Sequence, residues 1–136
     1  MLLSGPLGAG KSTLARALIR RLTRPDEDVP SPTFTLVQAY AGRGGFDIAH
    51  FDLYRLTGPD EVEELGLAEA LETGAALIEW PERLGDWLPE NRLVVRLAPV
   101  DGFAEDGDGP RSATLAGYGT WRGRMAGLEG LARQDD

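Results

Sequence analysis

A chain of 136 residues is expected to form one domain, residues 1–136, that buries roughly two-thirds of its unfolded surface. Its hydrophobic and charged fractions, 42% and 26%, are those of an ordinary globular protein, and no run of about 18 apolar residues is present to span a membrane. A net charge of −8 disfavours direct, tight binding to nucleic acid, which usually requires a basic surface; the absence of cysteine excludes disulfides and thiolate metal sites and fits a cytoplasmic protein.

Met1 to Ser4 reads as a short apolar strand, with neither the basic flank nor the apolar length of a signal peptide. From Ser12 the pattern turns helical. Leu14, Ala15, Leu18, Ile19 and Leu22 share one face, Arg16, Arg20 and Arg24 another, and Pro25 is expected to end the helix. Residues 25–32 form a charged, proline-rich loop. Thr33 to Tyr40 predicts a strand, Arg43-Gly44-Gly45 a turn, and Phe46 to Leu53 a second strand of the same hairpin. A helix is predicted from Pro59, with Asp60 and Glu61 in its first turn, where negative charge suits the helix dipole. Ala75 to Glu79 is an apolar strand ending on a carboxylate. Arg92 to Leu97 and Ser112 to Ala116 predict two more strands, and the tail after about Tyr118 is weakly helical. The expected class is α/β, with a mixed, mostly parallel sheet flanked by helices.

The chemistry concentrates in Gly5-Pro6-Leu7-Gly8-Ala9-Gly10-Lys11-Ser12, a full match to the phosphate-loop pattern G-x-x-x-x-G-K-[ST]. Glycines let the backbone of Gly8, Ala9, Gly10, Lys11, Ser12 and Thr13 curl so that successive N–H groups face one oxyanion. The following helix adds its N-terminal dipole. Lys11 is the only lysine beside thirteen arginines, and a compact ammonium reaches between phosphates where a forked guanidinium does not. Ser12 offers a hydroxyl to Mg²⁺, and ATP is the expected nucleotide. A carboxylate at the end of another apolar strand completes such a site. Glu79 is the first candidate, for holding the metal, and Asp52 the second, for metal contact or for orienting the attacking water; a strand-end cap or a partner for Arg55 remains open for Asp52. The segment Ser31 to Thr35 falls where a γ-phosphate sensor would sit, which makes Thr33 or Thr35 candidates alongside a plain strand start. Trp80 and Trp87 are ordinarily core or surface aromatics. His50, the only histidine, argues against a histidine metal site, and no catalytic role is assigned to it.

Four blocks, SGPLGAGKST, SPTFTLVQAY, HFDLYRL and IEWPERL, occur in this order, and together they resemble the TsaE family, bacterial ATPases of tRNA threonylcarbamoyladenosine biosynthesis. The resemblance covers roughly residues 2–90. It implies a P-loop NTPase-like fold and an ATPase weak alone and activated by partners of the TsaB and TsaD type, which carry out the transfer to tRNA. It further implies phosphate and Mg²⁺ roles for Lys11 and Ser12, a metal-side role for Glu79, the family aspartate for Asp52, a switch role for Thr33, and a place for Trp80 near nucleotide or partner. Similar proteins begin with a further strand and helix before the phosphate loop, so nucleotide binding is expected to be weaker than in a full-length relative. A small P-loop kinase is the alternative enzyme, with Arg122 to Arg124 a poor lid. A nucleotide-gated assembly module with negligible turnover is the alternative from another class.

Overall fold

The computed structural model describes residues 1–32, 35–58, 60–100 and 110–132, with side chains through Gly127. Its first strand, β1 (Leu2–Ser4), is central to the sheet, hydrogen-bonded in parallel to a strand on each side. Among the described residues, six strands form the sheet, in the order β2-β3-β4-β1-β5-β6. The remaining strands are β2 (Val37–Ala41), β3 (Asp47–Asp52), β4 (Gly74–Glu79), β5 (Arg92–Pro99) and β6 (Arg111–Tyr118). The inner pairings β3–β4, β4–β1 and β1–β5 are parallel, and the outer pairings β2–β3 and β5–β6 antiparallel. Inner strands buried on both faces read as continuous apolar runs such as Ala75 to Ile78, because helices cover both sides of them.

Helix α1 (Lys11–Leu22) packs Ala15 and Ile19 onto one face of the sheet, against Leu3, Ile48, Leu77, Leu93 and Val95. It stops before Pro25 because Thr23 turns back on it: the Thr23 backbone N–H and hydroxyl both donate to the Ile19 carbonyl. The opposite face, lined by Leu2, Ala49, Phe51, Ala76 and Ile78, is covered by Val62 of α2 (Glu61–Glu64) and Leu67 of α3 (Leu67–Thr73). The single helix predicted from Pro59 is thus two. Gly66, at φ 81° between them, takes a left-handed conformation that only glycine adopts cheaply. Pro59, the expected start, lies outside the described residues. Helix α4 (Trp121–Ala132) leans Trp121 and Met125 on the α1 side.

The hairpin forms as expected, with Val37 opposite Phe51 and Ala41 opposite Asp47. Its first strand begins four residues later than the alternation suggests. The Leu36 N–H bonds the Pro32 carbonyl at 2.7 Å, and Leu36 sits at φ 67°, so the chain turns there before it can extend. The Leu36 carbonyl then accepts the Asp52 N–H at 3.0 Å, tying this turn to the end of β3. Among the described residues, no helix is long and apolar enough to cross a membrane.

Candidate phosphate-binding site

The loop from Gly5 to Gly10 joins β1 to α1 at the carboxyl ends of the parallel strands, where open α/β sheets hold their ligands. Two glycines make the loop's path. Gly5 has φ 145°, and a Cβ on it would lie 2.3 Å from the Leu97 carbonyl oxygen, so no side chain fits between β1 and β5 there. Gly10 has φ 103° as the residue preceding α1, and no side chain caps that helix. The helix's first N–H groups therefore face the cleft, with the partial positive charge of its N-terminus behind them.

Lys11 begins α1 and is only 4% exposed. Its ammonium donates to the carbonyls of Gly5 at 2.5 Å and Pro6 at 3.0 Å, and stands 3.9 Å from the centre of the Trp80 ring. Burial holds this ammonium below the usual lysine value, and the charges of Glu79, Glu82 and Asp52 oppose that shift.

The two carboxylates come from neighbouring strands in register: Asp52 of β3 pairs with Glu79 of β4. Both side chains are buried, at 5% and 1% exposure. Ser12 donates its hydroxyl to Glu79 Oε1 at 2.8 Å. Glu79 Oε2 lies 2.5 Å from His50 Nε2. Asp52 Oδ1 accepts the backbone N–H of Tyr54 at 3.1 Å, the short-range contact of a strand-end cap.

Immediately after Glu79 the chain reverses. Trp80 takes φ 61°, left-handed in a bulky residue, and Pro81 opens a single 3₁₀ turn, Pro81–Leu84. Such a conformation costs about 1–2 kcal/mol. It swings the indole over Lys11 and sets it 4.9 Å from the Tyr54 ring, the planes inclined at 45°.

These elements enclose one cleft of about 900 Å³, lined by Gly8 to Thr13, Asp52, Glu79 and Trp80. Among the residues singled out in the sequence, Thr33 lies outside the described residues, and Thr35 is described but does not line the cleft. Trp87 is on the surface, 47% exposed. Four residues with no part in the phosphate-loop motif belong to the surroundings. Tyr54 and Arg55 follow Asp52 in the loop after β3; Arg111 opens β6 and reaches the Gly8 carbonyl at 3.3 Å; His50 lies beneath Glu79. For His50 a signal did exist: it stands two residues before Asp52 on a strand, hence on the same face.

The donor set suits a hard cation. Hydroxyl and carboxylate oxygens from Ser12, Glu79 and Asp52 are the ligand types that Mg²⁺ takes. Among the described residues no three His, Asp or Glu side chains gather into an all-protein cage, and Mg²⁺ is commonly held by one or two carboxylates together with phosphate oxygens.

A parallel-centred α/β sheet with this loop between β1 and α1 defines a P-loop NTPase-like protein. The Bacillus subtilis YdiB crystal structure is similar over 99% of this chain and 77% of that one, with a TM-score of 0.65 and 29% identity. Residues 1–103 match the family model described as threonylcarbamoyl adenosine biosynthesis protein TsaE; the chain belongs to the TsaE family. Proteins named tRNA threonylcarbamoyladenosine biosynthesis protein TsaE are similar to it. That of Rickettsia felis is 42% identical over 101 residues, 74% of this chain and 58% of its own length. That of Haemophilus influenzae is 43% identical over 100 residues, 73% and 62%. That of Streptomyces coelicolor is 38% identical over 121 residues, 88% and 80%. The chain thus spans about three-fifths of the first two.

Proposed function

We propose that this chain binds and hydrolyses ATP with Mg²⁺ and serves tRNA threonylcarbamoyladenosine biosynthesis, acting with subunits of the TsaB and TsaD type. The observation that carries the reading is the contact of Ser12 with Glu79 at 2.8 Å, directly below the phosphate loop and beside Asp52. A hydroxyl and a carboxylate held together at that point form a two-oxygen seat for a metal that also binds phosphate.

In this reading Ser12 and Glu79 hold Mg²⁺, which when bound supplies charge neutralisation of the phosphates. The N–H groups of Gly8 to Thr13 orient the phosphate chain, and Lys11 exchanges its carbonyl partners for phosphate oxygens. Asp52, buried beside Glu79, orients the attacking water and accepts its proton. Thr33 senses the γ-phosphate. Trp80, already over Lys11, shields the phosphates from solvent. The acidic net charge supports contact with tRNA through protein partners rather than directly.

The test is Mg²⁺-dependent ATP hydrolysis by the chain alone and with added TsaB and TsaD, with Lys11→Ala as the blank. Slow turnover alone, faster turnover with the partners and none in the blank is the expected result. Nucleotide binding without hydrolysis in either setting would overturn the ATPase reading in favour of an assembly module.

A further inference from the structure

His50 lies in the interior of β3, flanked by Ala49 and Phe51, and is 2% exposed. An imidazole buried in an apolar strand is costly unless its polar atoms are satisfied, and a leucine would fill a comparable volume without that cost. Only one of its two nitrogens is satisfied. Nε2 meets Glu79 Oε2 at 2.5 Å, while Nδ1 has no hydrogen-bond partner among the described residues. A proton on Nδ1 would be a buried N–H with nothing to receive it, so the tautomer that fits carries its proton on Nε2 and donates it to Glu79.

That donation settles the Glu79 carboxylate. A glutamate side chain has a freely turning terminal torsion, and either oxygen can face a ligand. Here Oε2 is engaged from below by His50 and Oε1 from above by Ser12. The three groups come from β3, β4 and α1, so the chain of contacts crosses from the sheet interior to the phosphate loop.

We propose that His50 is a positioning residue: its Nε2–H fixes the Glu79 carboxylate with Oε1 toward Ser12 and thereby sets the affinity of the site for Mg²⁺-nucleotide over the metal-free nucleotide. The proposal rests on the reading of Ser12 and Glu79 as the metal-holding pair. Groups that orient a metal ligand in this way typically govern metal affinity by 10–100-fold when removed.

The test is calorimetric binding of a non-hydrolysable ATP analogue, with saturating Mg²⁺ and with EDTA, to the wild type, His50→Leu, His50→Gln and Glu79→Gln. In His50→Leu the Mg²⁺ enhancement of affinity is expected to shrink by about 10–100-fold, with metal-free affinity unchanged. His50→Gln, whose amide N–H extends to the place of Nε2, is expected to restore most of it. Should His50→Leu not fold, His50→Asn, whose shorter amide does not extend that far, takes its place with the same expectation. Unchanged enhancement in His50→Leu beside a lost one in Glu79→Gln overturns the role of His50 alone. Equal losses with and without Mg²⁺ in His50→Leu likewise overturn it, in favour of a packing role. No enhancement in the wild type, or an intact one in Glu79→Gln, overturns the reading of the metal pair and this proposal with it.

Discussion

The two faces of the sheet are built from the same strands and do different work. The face under α2 and α3 buries Leu2, Ala49, Phe51, Leu53, Val62, Leu67, Ala76 and Ile78, all apolar. The face under α1 buries Leu3, Ile48, Leu77 and Val95 in its middle, but toward the carboxyl ends of the strands it turns polar with His50, Asp52 and Glu79, near Lys11 of α1. Because side chains alternate along a strand, β3 sends His50 and Asp52 toward the cleft while Phe51, between them, anchors the other side. One face supplies stability by burial, and the other gives up part of that burial to polar and charged side chains. A pleated strand lets both tasks occupy adjacent positions.

This division makes the sharpest expectations. The largest effect belongs to Phe51→Ala, which should remove about 3–5 kcal/mol of folding stability by leaving a cavity in the apolar face, read from denaturant unfolding. The molecules that remain folded should keep the Mg²⁺ dependence of nucleotide binding; a loss of that dependence would mean that the faces are mechanically coupled. Next comes Lys11→Ala, expected to weaken ATP-analogue binding by about 1.5–3 kcal/mol, roughly 10–150-fold, as for hydrogen bonds to charged groups. Its folding stability should change by less than about 1 kcal/mol, since relief of a desolvated charge offsets the lost contacts of the side-chain stem. Calorimetry paired with thermal unfolding reads both quantities. A large stability loss would show that the lysine also serves as a structural pin.

Gly66→Ala lies on the apolar side, and forcing a Cβ into φ 81° should cost about 1–2 kcal/mol without touching nucleotide affinity. A changed affinity would show that the junction of α2 and α3 is communicating with the cleft. The smallest effect is expected from Trp87→Ala. This residue is 47% exposed, and its loss should alter stability by no more than about 0.5 kcal/mol and leave hydrolysis by the chain alone unchanged. A difference that emerges only when the partner subunits are added would place the indole at their interface.

Much of this arrangement was readable in the chain itself. The phosphate loop is contiguous and its glycines are tied to definite backbone angles, so spacing alone carries it. The 3.6-residue period of Ala15, Ile19 and Leu22 gave α1 its buried face, and the apolar run ending at Glu79 gave β4 its polar tip. What escaped depends on pairing between distant segments. The partner of His50 is defined by the register of β3 on β4, which no local pattern encodes. The approach of Arg111 to Gly8 needs β6 to fold back on β5. The turn at Leu36 hides because leucine carries no signal for a positive φ; it is held there by the bonds to Pro32 and Asp52. The break at Gly66 shows in the chain only as a glycine within a helical pattern, and the glutamates on both sides of it favour helix.

The contacts of Lys11 carry one last consequence. Its ammonium is already committed to two carbonyls and the face of an indole, so a phosphate that engages it makes an exchange rather than an addition. The gain is a difference between two well-coordinated arrangements, and a weakly charged anion has little to offer in the trade. Inorganic phosphate or a monophosphate should therefore compete poorly, whereas a polyphosphate chain spanning several loop amides at once can afford the displacement. Under the proposed function the lysine would then act as a threshold, selecting ligands by how much charge they bring to the loop before any base or sugar is read.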